Sequence, residues 1–344
     1  MRAGDHDIEA GWTLFHTCNY RCDYCFFPPA LLGSKRPELA ANADWQRAFD
    51  ATGLVWLINL TGGEPSLHPA FADLCRRLTA RHWLSVNSNL VPRAWQTFAD
   101  TVDPARVRMV HAAFHPLERQ ARDGDGAFIT HFNRLRDKAF PIMASVVATP
   151  QVLAGMAAIA RRLDAYGIVV VPKLLRTVYL GKPYPASYTE AEREQFRTAL
   201  TRARAHYAPL LARLPEPPPI YPFDDDTWLH DLPDYVGRRC GAGRTFVQID
   251  PQGNVRHCPD VAQGNLLDGT FRRRPGDVIC TTQFCHYWCE RHADTREDAL
   301  RVAQRRDLIV NIAGTANALK VQGGDDAGLR QRLDEQLAAL RRAI

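Results

Sequence analysis

No stretch of this 344-residue chain approaches the roughly 18 consecutive apolar residues that a membrane-spanning helix needs. The segment from Met1 to Gly11 lacks the apolar core and small-residue cleavage site of a secretory signal. No membrane partner is therefore expected, and a cytoplasmic location is. An excess of one charge is also lacking: 43 Lys and Arg stand against 38 Asp and Glu, a formal net charge of +5 spread along the chain. The short basic runs Arg272-Arg273-Arg274 and Arg305-Arg306 are not interleaved with aromatics densely enough to imply a nucleic-acid partner. The mild positive balance would equally suit an anionic small substrate. Internal repeats are absent, and the only biased tract is Pro215-Glu216-Pro217-Pro218-Pro219. With 46% apolar and 24% charged residues, the chain has the makings of an ordinary globular protein. Its length suits one large α/β domain with a smaller module.

Nine cysteines are present. In a reducing compartment, metal binding or catalysis is a better use for them than disulfides. Cys18, Cys22 and Cys25 lie within eight residues; Cys240, Cys258, Cys280, Cys285 and Cys289 lie within fifty near the other end. Cys75 stands alone in the helical pattern Phe71 to Leu78 and reads as a buried structural thiol.

The first 180 residues alternate short apolar runs with amphipathic stretches. Strands are expected at Trp12–His16, Val55–Leu60, Trp83–Val86, Val107–Ala113, Ile142–Ala148 and Ile168–Val171. Helices are expected around Ala43–Ala51, Ala70–Ala80, Arg93–Asp100, Ala127–Lys138 and Gln151–Tyr166. Six such alternations argue for a parallel sheet, most simply a partial (βα)6 TIM-like barrel. A long helix from Tyr188 to Leu214 opens at Thr189-Glu190 and stops at the proline run, which marks a boundary. The expected domains are thus residues 1–214 and a small α+β module at 215–344. That module contains a hairpin around Asp250-Pro251-Gln252-Gly253-Asn254, then helices at Thr295–Arg305 and Leu329–Ile344.

The spacing C-x3-C-x2-C at Cys18, Cys22 and Cys25 offers three thiolates on a tight loop. Three thiolates can ligate three irons of a cubane and leave the fourth open, whereas enclosed clusters and structural zinc take four ligands. His16 is the nearest candidate for a fourth. This loop, following the first strand of a partial barrel and with Tyr24 before its last cysteine, resembles that of the radical S-adenosylmethionine (SAM) superfamily. The resemblance implies an enzyme whose open iron chelates SAM. One electron from a flavodoxin- or ferredoxin-type donor would then cleave SAM to methionine and a 5′-deoxyadenosyl radical, which abstracts hydrogen from the substrate. Thr61-Gly62-Gly63-Glu64-Pro65 follows the second strand, where the family places a Gly-Gly-Glu motif against the methionine amino group. Glycines at Gly62 and Gly63 would let the backbone approach the ligand, and the Glu64 carboxylate suits an ammonium. Tyr24 matches an adenine-contacting position, and Asn87-Ser88-Asn89 is similar to a ribose-binding segment. The resemblance covers roughly residues 12 to 180.

Cys240-x12-Gly253-x4-Cys258, with Cys280-x4-Cys285-x3-Cys289, resembles the C-terminal extension called SPASM or its shorter relative, the twitch domain. Five cysteines imply one auxiliary 4Fe–4S cluster, with Cys240, Cys258 and Cys289 foremost and Cys280 or Cys285 as the fourth ligand. A zinc site is the structural alternative.

Active sites of barrel folds lie at the C-terminal ends of the strands. That singles out His111 and His115 at the fourth strand and Lys173 and Arg176 at the sixth, as anion binders or proton carriers. Tyr179, Tyr184 and Tyr188 could wall a substrate. Hydrogen abstraction from a small polar metabolite (a sugar, nucleoside or aminocyclitol) is the expected activity, favoured because only 17 residues precede Cys18. Oxidation, epimerisation or sulfur insertion would follow. Modification of a ribosomally made peptide is the alternative; an iron–sulfur electron carrier without a SAM site is a third.

Overall fold

The computed structural model describes residues 5–35, 39–122, 124–258, 260–283, 285, 290–294, 296–321 and 326–343. Six parallel strands run in sequence order: β1 (Ile8–Thr13), β2 (Trp56–Thr61), β3 (Trp83–Ser88), β4 (Val107–Ala113), β5 (Ile142–Val147) and β6 (Val170–Lys173). The first starts four residues before the expected position. Ile8, Ala10 and Trp12 pack under the helices, but the intervening Glu9 disguises the strand in sequence. That acidic residue is buried because Arg291 and His292, from the far end of the chain, bind its carboxylate.

The outer face of each strand feeds one apolar core. Ile58 and Leu60, Leu84 and Val86, Val110 and Ala112, and Ala144 and Val146 all join it. Opposing them are Trp45 and Phe49 of helix Asn42–Ala51, Leu74 and Cys75 of helix Phe71–Thr79, and Trp95 and Phe98 of helix Ala94–Thr101. Cys75 is the expected buried thiol, and burial raises its pKa well above the ordinary range. The connection before β6 is two helices, Pro150–Ala154 and Met156–Asp164, because Gly155 ends one and begins the other; a single helix was expected there.

Helix Glu190–Leu211 covers the β6 edge. Thr189 and Glu192 close its start as a capping box. The Tyr207 hydroxyl inserts between β5 and β6, accepting from Ala144 N at 3.0 Å and donating to Val169 O at 2.6 Å.

Beyond the short ribbon of β7 (Val178–Tyr179) and β8 (Lys182–Pro183), the C-terminal part begins with β9 (Arg239–Cys240). It continues with the meander β10 (Phe246–Ile249), β11 (Asn254–His257) and β12 (Val261–Asn265), and then β13 (Val278–Ile279), which pairs with β9. The expected hairpin is β10–β11, joined antiparallel. Strand β10 runs parallel to β1, with Glu9 opposite Phe246 and Trp12 opposite Ile249, so segments on both sides of the proline run share one nine-stranded sheet. The last two helices are Ala299–Val321 and Ala327–Ala343, the first far longer than expected. Among the described residues no helix is long and apolar enough to cross a membrane.

Candidate active site

Cys18, Cys22 and Cys25 occupy the loop leaving β1 and are free, partly buried thiols. Backbone bonds from the Gly-Gly-Glu turn hold the base of that loop: Gly63 N donates to Phe15 O at 2.8 Å, and Glu64 N to Thr17 O at 2.9 Å. A Cβ on Gly62 would run into the Phe15 carbonyl, and one on Gly63 into those of His16 and Thr17. The glycines thus permit the close approach of two backbones, a reason for them that the sequence reading did not give.

Glu64 is buried beneath this turn. Its Oε1 accepts from Ser66 N at 3.1 Å, from the Ser66 hydroxyl, and from Ser88 Oγ at 2.7 Å. Its Oε2 accepts from Asn89 N at 2.7 Å. Burial pushes its pKa up, against the pull of these donors. Asn89 in turn donates through Nδ2 to Asn19 Oδ1 at 2.8 Å. The Gly-Gly-Glu turn, Asn87-Ser88-Asn89 and the cysteine loop therefore form one hydrogen-bonded unit. Arg119, unsuspected from sequence, locks it from behind: its guanidinium donates to Asn89 O and lies 4.4 Å from the Phe128 ring centroid.

Asn87 and His111 are register partners on β3 and β4. Asn87 Oδ1 and His111 Nε2 are buried and find no hydrogen-bond partner among the described residues. Burial, aided by Lys173, lowers the His111 pKa to about 3, so its imidazole is neutral. Two orphaned polar atoms of this kind fit a ligand rich in hydrogen-bonding groups, as SAM is. Burial lowers Lys173 to about 8, Asp225 opposing the shift and Arg176 adding to it.

Other expected substrate residues have different partners. Arg176 is engaged by Asp225 at 3.0 Å and by Glu290, with Trp228 against its guanidinium; it joins the barrel to the C-terminal part instead of facing a substrate. The Tyr188 hydroxyl donates to Ala148 O and accepts from Leu175 N, a structural role. Tyr179 Oη donates to Asp23 Oδ2 at 2.8 Å, bringing the β7–β8 ribbon against the cysteine loop. His115 reaches the same loop, with Nδ1 at 2.7 Å from Tyr24 Oη and 3.3 Å from Cys22 Sγ. His16 packs edge-on against Phe27. Burial raises the Cys18 and Cys22 thiols to about 12. Metal coordination relieves that cost by holding sulfur as thiolate, so these thiols suit an iron–sulfur cluster.

Cys240, Cys258, Cys280 and Cys285 all line one cavity of about 320 Å³. Burial raises Cys240 to about 12 and Cys258 to about 11, the neighbouring thiols adding to both shifts. Four soft donors around a small cavity fit a cubane's ligand number. Cys289, a leading choice from sequence, lies outside the described residues. The next described segment, Glu290–His292, spans the sheet's two arms. Glu290 meets Arg176 beyond β6, while Arg291 and His292 meet Glu9 on β1. Burial would raise Glu9, but Arg291 and the hydrogen bond with His292 hold it at about 2.

Residues 12–115 match the family model of the radical SAM superfamily. The mycofactocin maturase MftC of Mycobacterium ulcerans is 25% identical over 292 residues, covering 77% of this chain and 73% of that relative. The PqqA peptide cyclase of Ruegeria pomeroyi is 37% identical over 102 residues, covering 29% of this chain and 24% of the cyclase. Among solved structures, anSMEcpe with bound AdoMet and the Cp18Cys peptide superposes with a TM-score of 0.51 at 14% identity, covering 77% of this chain and 79% of that one. This last likeness concerns the fold alone. The relatives overturn the expectation of a sugar, nucleoside or aminocyclitol substrate: one is named a maturase and the other a peptide cyclase.

Proposed function

This chain belongs to the radical SAM superfamily, uses a 4Fe–4S cluster and SAM, and on that premise we propose that it modifies a peptide. The observation carrying this reading is the extent of the maturase match. A span covering 77% of 344 residues must include everything from about residue 80 to about residue 265, and so reaches past the barrel strands into the β9–β12 region.

In this reading Cys18, Cys22 and Cys25 hold the cluster, which with SAM supplies a radical able to abstract hydrogen from the substrate. Asn87 and His111, whose side chains carry unpartnered polar atoms, would bind SAM together with Tyr24. Glu64 and Ser88 act chiefly by keeping Asn89 and the cysteine loop in register. Lys173 and His111, near enough for the lysine to act on the imidazole electrostatically, would orient the peptide group that loses hydrogen. Cys240, Cys258, Cys280 and Cys285 hold one auxiliary 4Fe–4S cluster in a twitch- or SPASM-like module. The electron that cleaves SAM would come from a flavodoxin- or ferredoxin-type donor in the cytoplasm.

The test is incubation of anaerobically reconstituted protein with SAM, reductant and candidate peptides encoded near it in its genome, followed by mass spectrometry. A peptide mass change that requires SAM and is accompanied by 5′-deoxyadenosine is expected. Efficient SAM cleavage coupled to a non-peptide metabolite, with every peptide unchanged, would overturn the reading.

A further inference from the structure

His115 was singled out as a substrate residue, yet it points at the cysteine loop. It follows β4 directly and precedes helix Pro116–Ala121. That anchorage sets its ring beside two loop aromatics, stacked at 6.1 Å on Tyr24 and edge-on at 5.6 Å to Tyr20. Its Nδ1 lies 2.7 Å from Tyr24 Oη and 3.3 Å from Cys22 Sγ. The second distance is that of a hydrogen bond to sulfur, made across 93 residues of sequence. The imidazole is thus held by its own strand, independently of the loop it touches.

We propose that His115 is a positioning residue that donates a hydrogen bond from Nδ1 to the Cys22 thiolate, and with Tyr24 sets the reduction potential of the cluster this loop holds. The proposal rests on Cys22 being a ligand of that cluster. A donor aimed at a cluster sulfur stabilises the more negative, reduced state, so potentials respond to such bonds. Tyr24 flanks the same contact: its hydroxyl lies against the imidazole nitrogen that reaches the Cys22 sulfur. A ring turned toward the loop in this way leaves the substrate-facing role in the barrel to His111 and Lys173.

The experiment is a redox titration of anaerobically reconstituted holoenzyme, following the reduced-cluster EPR signal that responds to added SAM. His115→Phe removes the donor; His115→Asn keeps an N–H near the Nδ1 position. The Phe variant should have a more negative potential by about tenfold in the reduction equilibrium, which is about 59 mV for one electron. The Asn variant should return most of the way to the parent. A parental potential in His115→Phe overturns the proposal, as does a shift in His115→Asn as large as that in His115→Phe. If His115→Phe takes up no cluster, a cluster at the parental potential in His115→Asn supports donation, and its loss there too overturns it. A parent that binds no SAM-responsive cluster would instead refute the assignment of Cys22 as a ligand.

Discussion

Cys18, Cys22 and Cys25 share eight consecutive residues, whereas Cys240, Cys258, Cys280 and Cys285 reach their cavity from separate places. Cys240 ends β9, Cys258 follows β11, Cys280 follows β13, and Cys285 lies in the segment beyond. The first group needs a loop of correct length and a firm base, which two backbone bonds from Gly63 and Glu64 provide. The second needs the β10–β12 meander, the β9–β13 pair and the barrel to be correctly placed before all four thiols meet. A compact motif therefore tolerates distant changes, while a distributed site registers every error in packing between its parts.

The sharpest way to break this comparison is to remove the first group entirely. With Cys18, Cys22 and Cys25 all changed to Ala, SAM cleavage should vanish and iron should fall from about eight to about four atoms per chain, one cubane remaining. Iron and 5′-deoxyadenosine assays check this; full loss of iron would mean that the second group depends on the first. Single Ala changes at Cys240, Cys258, Cys280 or Cys285 should each remove the auxiliary cubane, again about four irons. Cys289→Ala, scored the same way, decides whether Cys289 or Cys285 completes the set. An iron count that drops with Cys289 and not with Cys285 would reverse the ligand assignment.

Glu9 joins the two regions, and Glu9→Gln tests that joint. Its carboxyl is held at about 2, below the ordinary 4.5, so its stabilising effect is complete above pH 4.5 and fades as pH falls toward 2. The shift corresponds to roughly 3 kcal/mol at neutral pH. Urea denaturation should show Glu9→Gln less stable than the parent by about that much at pH 7, with the two converging in acid. A constant gap across that range would show that the charge is not what matters.

The smallest effect expected is that of Glu64→Gln. Its amide cannot accept simultaneously from Ser66, Ser88 and Asn89 as the carboxylate does. Loss of one charged hydrogen bond costs about 1.5–3 kcal/mol. SAM affinity measured by equilibrium dialysis should fall about tenfold or more, with iron content unchanged. Unaltered affinity would confine Glu64 to shaping the turn.

The parallel strand order was legible because each barrel strand is a short β-branched or apolar run between helical patterns. Val107–Ala113 coincides with β4 to the residue. β1 was misplaced because a buried Glu9 looks polar until Arg291 and His292 are known to reach it. Arg119 gave no signal of its role, since Asn89, whose carbonyl it binds, lies thirty residues away in sequence. Arg176 looked like an anion binder for the same reason: Asp225 and Glu290 lie far along the chain.

What the residues determined by themselves was the cysteine loop, the Gly-Gly-Glu turn and the alternation that builds the barrel. Each is local chemistry whose spacing survives in one dimension. Tertiary structure alone decided which thiols share the second cavity, and that the glycines face a backbone. It also decided that His115 serves the cysteine loop while His111 and Lys173 remain inside the barrel. Those outcomes depend on burial and on partners outside the local segment, and a buried charge or an orphaned nitrogen acquires its meaning only when both sides of the contact are in place.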